Sequence, residues 1–170
     1  MANQIFSTVL NGVKTLVTAI SASSGVGDAG KILALDSTGR IDSTMMPVGI
    51  GADTKSLVAS EALSAGNLVN IWDDAGVAKA RKADSTAAGK EAVGFVLAGV
   101  ALGASATVYF DGTISGLTGL TIGSRQYLAN TAGATAATAP SATGNVVQYV
   151  GRAVSATEIT FEPDDAIVIA

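Results

Sequence analysis

Residues 119–161 read GLTIGSRQYLANTAGATAATAPSATGNVVQYVGRAVSATEITF. The stretch parses as strand, turn, strand, turn, strand. Residues 125–129 are a short run holding one aromatic and one leucine. Asn130 and Gly133 supply the backbone angles of a tight reversal. Residues 134–139 form a strand of small side chains, and residues 140–145 cluster Pro, Ser, Thr, Gly and Asn as loops do. Residues 146–155 alternate. Val146, Gln148, Val150 and Arg152 fall on one face, and Val147, Tyr149, Gly151, Ala153 and Ser155 on the other. After a turn at Ala156 and Thr157, Ile159 and Phe161 share a face of a last strand. Such a sheet is suited to packing, and no residue in it is chemically reactive.

The same cadence extends upstream to Thr54. Residues 55–60 are a strand, followed by a turn at 63–66. NLVNIW (67–72) places Leu68, Asn70 and Trp72 on one face and Val69 and Ile71 on the other. The turn Asp73-Asp74-Ala75-Gly76 ends in the glycine that hairpin turns favour. VAKARK (77–82) is a half-exposed strand with Lys79 and Arg81 on its wet side. AVGFVLAGVA (92–101) is nearly continuously apolar and predicts a strand covered on both faces, with bulges or bends at Gly94 and Gly99. Residues 107–110 are a further strand, followed by an Asp111-Gly112 turn. Turns every eight to twelve residues or so mark a β-sandwich or barrel. Residues 60–63 and 85–90 could each hold one helical turn. The expected fold is all-β, a small antiparallel barrel or sandwich over 54–170. Its expected core is Leu68, Ile71, Trp72, Val93, Phe95, Val96, Val100, Val108, Phe110, Leu128, Val147, Tyr149, Val150, Ile159 and Phe161.

Residues 1–53 differ in character and form an N-terminal arm and linker. Two apolar runs, 5–10 and 13–20, flank Asn11-Gly12, a strong hairpin signal. Val9, Val13, Leu16, Val17 and Ile20 also have helical spacing, but Thr and Val enrichment with Gly12 in the middle favours extended structure. Residues 21–30 are a loop by composition. Residues 21–52 carry too little apolar mass for a core, so they are expected to lie extended over another surface. The apolar cluster ahead of them, Ile5, Phe6, Val9, Leu10, Val13, Leu16 and Val17, is the candidate contact site, because exposed apolar patches mark interaction surfaces.

Composition narrows the function. The 170 residues carry 10 Lys and Arg against 14 Asp and Glu, a net charge of −4. The cations are scattered, which argues against phosphate-backbone binding. Charged residues are only 14% of the chain, and Trp72 is the single tryptophan. A low-charge surface rich in small residues suits self-assembly, where each buried charge costs desolvation. There is no cysteine and no histidine, so the common nucleophile–base pairs and thiolate metal sites are absent. The glycine-rich 21–30 loop has the wrong order of Gly, Lys and Ser/Thr for a phosphate loop, and no helix pattern follows it. Asp28, Asp36 and Asp42 lack the close spacing and terminal Glu of a calcium loop. Asp73-Asp74 and Asp164-Asp165 read as solvated charges. Arg125 and Arg152 read as a salt-bridge or intersubunit position. No enzyme activity, cofactor or metal is expected. Met1 to Ile20 has no basic start and no continuous apolar core, so neither a signal peptide nor a membrane segment is expected.

Two runs carry a family resemblance. GSRQYLANTAGATAATAPSATGNVVQYVGRAVSATEITFEP (123–163) resembles a module of tailed-bacteriophage structural proteins, found in capsid decoration (cement, head-stabilising) proteins and in some tail-associated ones. GDAGKILALDSTGRIDSTMMPVGIGADT (27–54) resembles a segment found ahead of that module. The resemblance implies a β-tulip-like barrel behind an arm. It also implies a virion protein, made in the host cytoplasm, that binds the capsid exterior and stabilises contacts between capsomers. Its expected partners are the major capsid protein and further copies of itself, as a homotrimer, with no nucleic acid. The competing expectation is a structural or receptor-binding module of a tail or tail fibre. That role usually needs exposed aromatics, which are scarce here.

Overall fold

The computed structural model describes residues 5–10, 12–46 and 51–170, apart from the side chains of 5–10, 14–18 and 43. The chain divides into two compact units, Met1–Gly51 and Ala52–Ala170.

In the first unit, strands β1 (Ile5–Leu10) and β2 (Val13–Thr18) pair antiparallel, with Leu10 opposite Val13 and Ile5 opposite Thr18. Gly12 takes φ 80° at the reversal, a left-handed angle that glycine adopts without strain. Extended structure thus prevails over the helical spacing in this stretch. Ile20 then bridges Leu33 in parallel. Its N–H donates to the Ile32 carbonyl at 2.9 Å, and its carbonyl accepts from Ala34 at 2.8 Å. Val26–Asp28 and Ser43–Met45 are single 3-10 turns.

The second unit is all-β. Its first strands are β3 (Thr54–Ala59), β4 (Leu68–Asp74), β5 (Val77–Lys82), β6 (Gly94–Phe95) and β7 (Ser105–Tyr109). They close into a barrel in the order β3-β5-β4-β6-β7. The pairs are antiparallel except β3 with β5, which run parallel. Next come β8 (Gly112–Ile114), β9 (Arg125–Leu128), β10 (Thr135–Ala136), β11 (Val146–Val147), β12 (Tyr149–Ala153), β13 (Ile159–Phe161) and β14 (Ile167–Val168). Five of these form an antiparallel sheet, β10-β9-β12-β13-β8, while β11 pairs with β14. Ala75 (φ 55°) and Gly76 (φ 86°) make the two-residue turn between β4 and β5. Left-handed angles at both central positions match the twist of a hairpin.

Two hydrophobic clusters hold the unit. Leu57, Ala59, Leu63, Val69, Ala80, Val96, Ala106 and Val108 form the first, drawn mostly from the barrel strands. Three alanines among them reflect how little room a five-stranded barrel leaves inside. Leu68, Ala83, Ala92, Phe95, Ile114, Leu128, Val150 and Phe161 form the second, joining β4 and β6 to the five-stranded sheet. The Phe95 ring stacks on Tyr109 (centroids 5.5 Å apart) and meets Phe161 edge-on at 5.4 Å. β4 serves both clusters, so Leu68, Val69 and Asn70 are all buried.

Of the expected core, Leu68, Phe95, Val96, Val108, Leu128, Val150, Ile159 and Phe161 are buried. Trp72 is only half-buried: its Nε1 donates to Ser60 Oγ at 3.0 Å, and Arg81 lies 5.2 Å above its ring. Ile71, Val100, Phe110, Val147 and Tyr149 are also half-buried, and Val93 is exposed. Val146 takes the buried place expected of Val147. The expected alternation over 146–155 fails at a bulge between Tyr149 and Gly151. The extra residue, Val150, faces inward, as does Gly151 beside it. The apolar run 92–101 yields only the two residues of β6 as strand. Beyond Phe95 the chain turns to the 63–67 loop instead, through Val96 N–H to the Asn67 carbonyl and a two-way pairing of Val100 with Leu63. Gly94 permits the close approach of β6 to β7, since a Cβ there would stand 2.6 Å from the Tyr109 carbonyl oxygen. Neither 60–63 nor 85–90 forms a helical turn.

Candidate functional site

The candidate contact residues of the N-terminal unit sit on the β1–β2 hairpin. The backbone register sets Phe6 opposite Val17, Ser7 opposite Leu16, Val9 opposite Lys14 and Leu10 opposite Val13. Val13 is 65% exposed. The side chains of Ile5, Phe6, Val9, Leu10, Leu16 and Val17 lie outside the described residues.

The stretch behind the hairpin is shaped by three aspartates, each closing a local turn. Asp28 accepts from the Ser24 N–H at 2.6 Å and pairs with Lys31 at 2.5 Å. Asp36 accepts from the Thr38 and Arg40 N–H groups at 2.8 and 3.0 Å. Asp42 accepts from the Thr44 N–H at 2.9 Å and its hydroxyl at 2.6 Å. These donors hold all three carboxyls below their ordinary pKa: the Lys31 ammonium first for Asp28, the Arg40 N–H for Asp36 and the Thr44 hydroxyl for Asp42. The aspartates shape loops, and among the described residues no group of three or more His, Cys, Asp or Glu could hold a metal ion. Leu33, Leu35 and Ile41 stay exposed in the same stretch.

In the barrel unit the paired carboxylates are separated by role. Asp73 caps the hairpin turn, accepting from the Gly76 N–H at 2.8 Å. Asp74 pairs with Lys79 at 2.5 Å. Asp164 and Asp165 are exposed. No helix among the described residues is long and apolar enough to cross a membrane.

A concave region of about 420 Å³ lies between the loop ahead of β4, the 116–121 loop and the start of β10. Thr118, Thr121, Thr135, Asn67 and the buried Gln126 supply its polar groups. It holds no ionisable and no aromatic side chain. Such a lining offers its threonine hydroxyls no general base and gives no stacking platform.

The outward face of the five-stranded sheet is chemically richer. Arg125 and Arg152 are direct cross-strand partners, and both are exposed. Thr160 and Thr113 continue the same row across β13 and β8. One row along, Tyr127 faces Tyr149 edge-on with centroids 6.2 Å apart. The Arg125 guanidinium carbon lies 5.8 Å from the Tyr149 ring, and Arg152 donates to the Gly123 carbonyl at 2.7 Å. Neither arginine forms an ion pair among the described residues, so of the two roles expected of them, salt bridge or intersubunit contact, the first is not seen there. The sequence marked both arginines. Their juxtaposition depends on the bulge that re-registers β12, which the alternation of residue types does not reveal.

No family model matches this chain, and no curated protein matches it either.

Proposed function

We propose that this chain is a structural protein of a tailed-bacteriophage virion. It binds the outer surface of the capsid, stabilises contacts between capsomers as a homotrimer, and catalyses no reaction. The observation that supports this reading is the division of labour along the chain. Both hydrophobic clusters found among the described residues are drawn from residues 57–161 of the barrel unit. The N-terminal unit brings a separate hairpin built from apolar sequence. In this reading the hairpin unit attaches to the major capsid protein and the barrel supplies the outward bulk. Engaging several subunits at one capsomer junction adds their affinities. The sequence resemblance over 27–54 and 123–163 points the same way.

The test uses the full-length chain and expanded shells of the phage that encodes it. The wild type should co-sediment with shells, and the paired change Val13→Asp and Leu16→Asp should abolish this while leaving the barrel's thermal transition in place. Binding to purified tails and not to shells would move the protein to the tail reading. Undiminished shell binding by the variant would remove the hairpin from the attachment role.

A further inference from the structure

We propose that the outward face of the five-stranded sheet is a contact between copies of this chain. In it, Arg125 and Arg152 of one copy bind the carboxylates of Glu162 and Asp164 of the next. The inference rests on the self-association in the proposed function and is independent of capsid binding.

The first ground is a like-charge pair that no carboxylate offsets among the described residues. Like charges directly opposite each other on a sheet destabilise it, yet Arg125 and Arg152 are paired in register. Elsewhere in the unit, Lys79, Lys82 and Lys90 each meet a carboxylate, on Asp74, Glu61 and Asp84 respectively. Arg81 is held by Asn70 and the Gly89 carbonyl. Besides Arg81, Lys55 on the barrel strand β3 also lacks a carboxylate among the described residues. Only at the arginine pair do two such charges share one spot.

The second ground is the complement carried by the same sheet. Phe161 points inward, so Glu162 follows on the outward side, and it is exposed. The Glu162 N–H donates to the Val150 carbonyl at 3.1 Å and the Asp164 N–H to the Tyr149 carbonyl at 3.0 Å. These bonds tie the acidic stretch to the start of β12, whereas Arg152 sits near its end. By this register Glu162 lies two residues (about 7 Å) and Asp164 three residues (about 10 Å) along the strand from Arg152. No ion pair joins them within one copy. The face therefore has a positive end and a negative end. Copies set head to tail bring opposite ends together, a heterologous contact that can close into a ring.

The third ground is residue type. Arginine and tyrosine are enriched where interfaces concentrate their binding energy, and this face carries two of each. A chain of net charge −4 repels its own copies at long range, so association needs local charge complementarity of this kind.

Analytical ultracentrifugation of the purified full-length protein, without shells, tests the contact. All four side chains are exposed, so substitution leaves both hydrophobic clusters intact, and a thermal melt of each variant checks this. The double variant R125E/R152E should raise the concentration at which the oligomer dissociates by about tenfold or more. E162K/D164K should do the same. The quadruple variant, which exchanges the two ends on one chain, should restore the oligomer. Oligomers that persist unchanged in both double variants overturn the contact and leave self-association standing. A quadruple variant no better than the doubles also overturns it, because the arginines then serve another acidic surface. A wild type that is monomeric at every concentration removes the self-association on which the contact rests. Failure to bind shells bears only on the capsid reading.

Discussion

Gln148 grips the backbone of Ala92 from both sides. Its Oε1 accepts from the Ala92 N–H at 2.8 Å, and its Nε2 donates to the Ala92 carbonyl at 2.9 Å and to the Asp164 carbonyl at 3.3 Å. One carboxamide thus performs the work of a neighbouring strand for a residue of the second cluster. Gln148→Leu fills similar space but strands two buried backbone groups. It should cost about 2–6 kcal/mol, since each unsatisfied buried group costs about 1–3. Denaturant unfolding measures this, and a variant as stable as the wild type would show that water satisfies Ala92 equally well.

Gly151 is the residue on which the bulge depends. Its φ is 148°, and a Cβ there would overlap the Thr160 carbonyl oxygen. Gly151→Ala should fail to fold or lose more than about 4 kcal/mol. Gly76→Ala is the control, because that glycine has φ 86° but no atom within 4 Å of the place a Cβ would take. Only backbone strain applies there, about 1–2 kcal/mol. Equal losses at the two sites would contradict the steric argument.

Asp84 makes the barrel unit sensitive to acid. It is 7% exposed, and burial alone would raise its carboxyl pKa. Hydrogen bonds from Thr86 and from the Lys90 ammonium outweigh burial and hold it below the ordinary 3.8. A carboxylate whose pKa is lower folded than unfolded adds stability above its unfolded pKa and loses it as pH falls through the folded one. Its contribution is complete above about pH 5 and fades below about pH 4. Asp84→Asn should lower the melting temperature at neutral pH and flatten its decline between about pH 5 and 2. Parallel acid limbs for variant and wild type would exclude Asp84 as a source of that decline.

Much of the fold was legible because short-range chemistry governs it. Asn11-Gly12 marked the reversal between β1 and β2, and the Asp73–Gly76 signal marked the β4–β5 turn. The positions with both flanks confined, such as Leu128 and Phe161, were identified as core. What escaped depends on contacts far apart in sequence. Leu68 and Val69 feed separate clusters, so alternation on β4 does not divide inside from outside. The run 92–101 is apolar enough for a strand, yet Leu63 and Asn67 draw it away after Phe95. Trp72, the largest side chain, rests half-buried under Arg81. Of the candidate contact residues, the strand pairing followed from the sequence, whereas the Arg125–Arg152 juxtaposition required the bulge.

The parallel pairing of β3 with β5 and the antiparallel pairing of β3 with β7 impose an order on folding during synthesis. The β4–β5 hairpin is local and can form as soon as it leaves the ribosome. β3, made before it, can cover one edge with β5 but must leave the other open until β7 has been translated and the barrel can close. The second cluster waits longer still, for Phe161. The nascent chain therefore spends most of its synthesis with unpaired strands, in the state most prone to pairing with a neighbour. The sparse charge that suits assembly leaves the chain little protection during that interval.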